Sequence, residues 1–89
     1  MLNQTQTSVP DSRLYITSVD GARMFNNVMK IAKARYDIRL LVHKTAVLGM
    51  VSYHLYFVDD TIPKPERKQI QAYVIGVIDT LKRLPDYAL

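Results

Sequence analysis

Apolar side chains recur along this chain with two different periods. Ile70, Tyr73, Val74, Val77, Ile78 and Leu81 fall three and four residues apart, the spacing that gathers side chains on one side of an α-helix. Asp59-Asp60-Thr61 precede the run, Pro63 and Pro65 stand at its start, and Pro85 closes it. Prolines fit there because the first amides of a helix have no intrahelical acceptor. Lys82 and Arg83 fall in the last turn, where the helix dipole favours positive charge. A second helix is predicted from Asp20 to about Arg35: Met24, Val28, Ile31 and Ala32 share one face, with Arg23, Asn26, Asn27, Lys30 and Lys33 on the other. Ser18 or Asp20 is placed to cap its first amides, and Arg35, which would rotate onto the apolar face, marks its end.

Between these helices the period shortens to two. Val51, Tyr53, Leu55 and Phe57 alternate with Ser52, His54, Tyr56 and Val58, and the run is rich in aromatic and β-branched residues, as a strand requires. Gly49-Met50 supplies a two-residue turn, which makes Ile38 to Val58 a hairpin. Ala46, Leu48 and Met50 are good helix formers, so an all-α chain of three helices is the alternative. A short first strand is predicted over Arg13 to Ser18, where Leu14 and Ile16 alternate with Arg13, Tyr15 and Thr17 ahead of the turn-prone Asp20-Gly21. The expected fold is therefore α+β: a small two-layer domain ordered strand-helix-strand-strand-helix, spanning 13–89 behind a flexible tail at 1–12.

Length and composition narrow the function classes. At 89 residues and 48% hydrophobic content the chain holds one core, and a core this small leaves a domain marginally stable without staples or partners. Absence of cysteine removes disulfides, thiolate zinc sites and cysteine nucleophiles, and suits a reducing, cytoplasmic setting. The first twelve residues contain neither a basic residue nor a long apolar run, unlike a signal peptide. The most apolar window, Leu40 to Val58, is broken by His43, Lys44, Ser52 and His54, so a soluble protein away from membranes is expected.

Candidate chemistry is sparse. Asp59-Asp60 is the only adjacent carboxylate pair, and capping at the helix start accounts for it better than acid-base or metal work. In the hairpin His43 and His54 oppose each other loosely, but no third metal ligand joins them. Gly21, Gly49 and Gly76 are too scattered to cradle a phosphate; Gly76, inside the last helix, suits either close approach of another helix or a neutral surface position. No catalytic residue, cofactor or metal site is assigned, and an enzyme is not expected.

The formal net charge is +4. Lys30, Lys33, Arg35 and Arg39 crowd the end of the first helix, and Lys64, Arg67 and Lys68 the start of the second, so adjacency of those ends would create a positive patch for phosphates or an acidic partner. A solvated face is the ordinary use of such charges. Tyr15, Tyr36, Tyr53, Tyr56, Tyr73 and Tyr87 could stack on bases, though packing in a core or interface is the commoner use at these spacings.

Arg35-Tyr36-Asp37-Ile38 through Ala46, with Val74-Ile75-Gly76, resembles over a small part of the chain the helical core of the RNA polymerase omega subunit, whose basic residue just before Ala46 is Thr45 here. That resemblance implies an all-helical fold and a polymerase-binding role. Taken as a whole, the residues lead to a small non-enzymatic regulatory or adaptor protein that binds protein partners and itself. The alternative is a basic nucleic-acid-binding regulator that uses the two Lys/Arg clusters.

Overall fold

The computed structural model describes residues 11–37 and 39–85. Its elements run β1 (Tyr15–Asp20), α1 (Ala22–Tyr36), β2 (Leu40–Val47), β3 (Met50–Phe57) and α2 (Lys64–Lys82), with a 3-10 turn at Ser12–Leu14. This is the α+β order expected from the periodicities. Strands over 40–57 rule out both the all-α reading and the all-helical fold implied by the omega-subunit resemblance. The sheet is antiparallel with order β1-β3-β2, so β1 and β2 run the same way with β3 between them, a split β-α-β arrangement. The tail predicted over 1–12 lies outside the described residues except for Asp11 and Ser12, which belong to the turn before β1.

β1 begins later than its alternation indicates. The Asp11 carboxylate caps a 3-10 turn by accepting a hydrogen bond from the Arg13 amide (2.9 Å), and the Leu14 amide closes that turn on the Asp11 carbonyl (3.0 Å), where the first strand residues were expected. A bulge follows, with Tyr15 opposite Tyr56 but Thr17 opposite Leu55, so Ile16 is the extra residue. The bulge breaks the period of two and turns both Ile16 and Val19 into the core.

β1 passes directly into α1 through Gly21. The Gly21 amide donates to the Val51 carbonyl (2.8 Å) and its own carbonyl accepts from the Phe25 amide (3.0 Å), so the last strand bond and the first helix bond meet in one residue. Its φ of 87° is a left-handed value that glycine adopts without a side-chain clash. Among the described residues no side chain caps α1, contrary to the expectation for Ser18 and Asp20: the Ser18 hydroxyl bonds to His54, and the Asp20 carboxylate accepts from the Ser52 hydroxyl (2.7 Å). Similarly, Asp59 does not cap α2. Its carboxylate accepts from the Thr61 amide (3.0 Å) and hydroxyl (2.6 Å), forming a turn ahead of a helix whose N-cap is Pro63.

Both helices lie on one face of the sheet. Met24, Val28 and Ala32 of α1 and Ile70, Val74 and Ile78 of α2 are buried against Ile16, Val19, Leu55 and Phe57. β1 and β3 contact the helices, whereas β2 has β3 as its main neighbour and overhangs the layer. α1 ends one residue beyond the expected Arg35, at Tyr36, and is capped by Asp37 in the left-handed conformation (φ 48°). Arg35 also escapes the apolar face: its guanidinium carbon stands 5.6 Å and 5.8 Å from the ring centres of Tyr36 and Tyr73, a cation-π placement that joins α1 to α2.

The hairpin turn is Leu48-Gly49 instead of the expected Gly49-Met50, because Val47 pairs with Met50. Both turn residues have positive φ, 52° and 81°. That sign pattern belongs to the primed turn whose twist matches a hairpin, and it normally selects Asn-Gly. Gly76 occupies open space, with nothing within 4 Å of where a Cβ would sit. The close-approach explanation therefore finds no neighbour among the described residues. Gly76→Ala is expected to stabilise the domain by about 1 kcal/mol, read as a higher urea midpoint; an unchanged or lower midpoint would show that the position is constrained.

Candidate interaction surface

The face of the sheet away from the helices carries the most concentrated polar chemistry. Even-numbered β3 residues point there, so Ser52, His54 and Tyr56 meet Asp20, Ser18 and Tyr15 from β1 on one side and Thr45, His43 and Leu41 from β2 on the other. His54 is the hub. Its Nδ1 is 2.7 Å from the Ser18 hydroxyl, which is 2.7 Å from the Tyr15 hydroxyl, while its Nε2 is 3.2 Å from the Thr45 hydroxyl. These bonds tie all three strands together. Tyr15 and Tyr56 pack edge to face with ring centres 5.3 Å apart.

His43 and His54, expected to oppose each other loosely, lie directly opposite in the register set by the Leu48-Gly49 turn, with ring centres 5.9 Å apart. Among the described residues no group of three or more His, Asp or Glu side chains could hold a metal ion. Ser18 beside His54 has the outline of a nucleophile and its base. The other imidazole nitrogen, however, meets the neutral Thr45 hydroxyl, and among the described residues no carboxylate is hydrogen-bonded there to stabilise an imidazolium. The arrangement orients His54 as a cross-strand clamp. Sequence spacing alone does not reveal it, because Ser18 meets His54 only when β1 pairs with β3; the His43–His54 half follows from the hairpin.

The overhanging hairpin carries a different surface. Leu41 and Val42 on opposite faces of β2 are 44% and 36% exposed, and at the tip Val47, Leu48 and Met50 are 66%, 97% and 65% exposed. The tip is thus an apolar turn held in water, with Leu48 in a backbone conformation that costs a non-glycine residue about 1 kcal/mol or more.

The basic residues are divided by the same architecture. α1 runs opposite to β1 and α2 opposite to β3, so the helices are antiparallel and the C-terminal end of α1 lies toward the N-terminal end of α2. Lys30 and Arg35 flank a shallow recess with Ile31 and Tyr73, while Arg39 lines another with Asp59, Thr61 and Ile62 on the approach to α2. Lys33 lies in the last turn of α1, and Lys64, Arg67 and Lys68 project from the first turns of α2. Among the described residues none of these seven forms an ion pair. Asp37, Asp59, Asp60 and Glu66 are interspersed at that end, so the charge there is mixed.

The Asp59 carboxyl is held below its usual range by the Thr61 hydroxyl and amide, with a smaller contribution from Arg39. The stabilisation is present above the ordinary carboxylate pKa and disappears as pH falls through the lowered one. Its exposure makes the site a minor contributor. The five described tyrosines pack rather than stand free for bases: Tyr15 on Tyr56, Tyr36 on Tyr73 (5.3 Å between centres), and Tyr53 on Phe25 (4.1 Å). Tyr87 lies outside the described residues. No helix among the described residues is long and apolar enough to cross a membrane. Comparison with protein-family models, curated proteins and solved structures returned no match.

Proposed function

We propose that this chain is a small non-enzymatic regulatory or adaptor domain that binds protein partners, itself included, through the β2–β3 arm. The exposed apolar tip at Val47, Leu48 and Met50 carries the reading. Contiguous apolar surface on a small domain marks contact sites more often than idle surface. β2 adds a strand flank that is unpaired among the described residues. The cysteine-free composition supports a reducing, cytoplasmic setting for this work. Light scattering on the full chain tests the reading: a mass above that of the monomer, rising with concentration, is expected, and a strict monomer at every concentration contradicts it.

A second reading, nucleic-acid binding, draws on the convergence of the two basic clusters at one end of the helical layer. It predicts affinity for single- or double-stranded probes that falls steeply as salt rises, because neutralised phosphates release counterions. Replacing Lys64, Arg67 and Lys68 with Gln would then reduce both affinity and its salt slope. Failure of either probe to bind at low salt removes this reading.

A further inference from the structure

The sheet has two edges, and they are built differently. On β1 the ladder is interrupted by the Ile16 bulge, and Gln71 of α2 donates its side-chain amide to the carbonyls of Tyr15 (3.4 Å) and Ile16 (2.8 Å). A strand approaching there meets a kinked backbone with acceptors already engaged. Among the described residues β2 has no such protection. Its eight residues, Leu40–Val47, pair with β3 without a register shift, contain no proline and carry one charge, Lys44. Along its outer side alternate amides and carbonyls have no hydrogen-bond partner among the described residues.

Resting on the protein-binding reading above, we propose that the occupant of this edge is a second copy of the chain, pairing β2 antiparallel to β2 so that two three-stranded sheets become one of six strands. A strand paired with its own copy about a two-fold axis presents the same row of donors and acceptors to each side, so one unprotected edge satisfies both partners. The surrounding side chains agree. Antiparallel pairing lays the apolar turn of each copy beside the start of the other's β2, where Leu40 and Leu41 stand, and brings the exposed Val42 of both copies near the axis. The edge is about 27 Å long, and strand pairing of that extent falls at the small end of specific interfaces, which bury about 1,200 Å² or more. The dimer therefore dissociates on dilution.

Symmetry fixes the register further. A two-fold axis normal to the sheet keeps both helical layers on one face, so directly opposed residues must share the same face within each copy. The central choices are His43 opposite His43 or Lys44 opposite Lys44. Like charges directly opposed are unfavourable, which selects His43 on the axis and sets Lys44 against Val42.

The absence of cysteine makes the register testable with single substitutions in the full chain. Opposed residues in an antiparallel pair have Cα atoms about 4.5–5.5 Å apart, within the range a disulfide spans. Under mild oxidation His43→Cys should give a covalent dimer in high yield, whereas Lys44→Cys and Asn26→Cys, the latter on the exposed face of α1, should remain largely monomeric. If His43→Cys cross-links no better than Asn26→Cys while the unaltered chain is still a dimer by light scattering, the edge pairing is overturned and the protein-binding reading survives. A strict monomer overturns both. Preferential cross-linking at position 44 overturns the stated register and the proposal with it. Should His43→Cys fail to fold by circular dichroism, hydrogen exchange of the unaltered chain decides: β2 amides gain protection with concentration if the edge pairs, and unchanged exchange overturns the pairing.

Discussion

Truncating Leu55 to alanine is expected to cost about 2–5 kcal/mol, the range for removing a buried leucine side chain from a packed core. Leu55 is fully buried on the central strand, opposite Thr17 of β1 and Val42 of β2 and beneath the helical layer. A cavity at that point removes contacts from several elements at once. Total stability for a domain of this length is roughly 4–13 kcal/mol, so the variant loses a large part of it. Urea unfolding should show a lower midpoint with an unchanged slope, since the surface exposed on unfolding is almost the same. A loss below about 1 kcal/mol, within the range of surface substitutions, would mean that Leu55 is not enclosed as described.

The second large effect separates stability from association. Replacing Val47 and Met50 with Thr and Leu48 with Asn removes the apolar tip while placing β-branched residues at both strand positions and giving the turn its preferred Asn-Gly pair. Relief of the left-handed strain at Leu48, where φ is 52°, is expected to raise the stability of the monomer by about 1 kcal/mol. Self-association should weaken by about tenfold or more, corresponding to the loss of at least ~1.4 kcal/mol of contact free energy. A stabilising substitution that weakens binding is hard to mistake for misfolding. If the variant associates as strongly as the unaltered chain, the tip is not part of the contact.

Much of the architecture was legible in the sequence because local periodicity and burial agree. Ile70, Val74 and Ile78 of α2, Met24, Val28 and Ala32 of α1, and Leu55 and Phe57 of β3 are buried where their spacing places them. The discrepancies lie where the decisive interaction is not local. The bulge at Ile16 depends on pairing with β3, so alternation over 13–18 misplaced β1 by two residues. The turn shifted by one residue because strand register, fixed by Leu40 opposite Phe57 through Val47 opposite Met50, outweighs the reluctance of Leu48 to adopt positive φ. Ser18 and Asp20 are good capping residues by type, but both side chains are engaged across the sheet.

The interaction surface was only half visible. High apolar content in a short chain motivates an outer contact, but it does not say which apolar residues remain outside. Leu41, Val42, Val47 and Met50 belong to a hairpin whose alternation reads like that of any half-buried strand pair. Leu41, Val47 and Met50 are exposed because they face away from the helices, and Val42 because β2 at the sheet edge lies beyond the reach of most of the helical layer. The basic residues show the converse: their clustering is plain in the sequence, yet Arg35 is engaged by Tyr36 and Tyr73, and Arg39 lies near Asp59.

A dilution series followed by amide chemical shifts most directly locates the surface on which the protein acts. As the concentration rises, signals from residues 40–50 should move together while those of the outer faces of α1 and α2 stay in place. Shifts confined to the helical layer or its basic end, with the β2–β3 arm unchanged, would contradict the account.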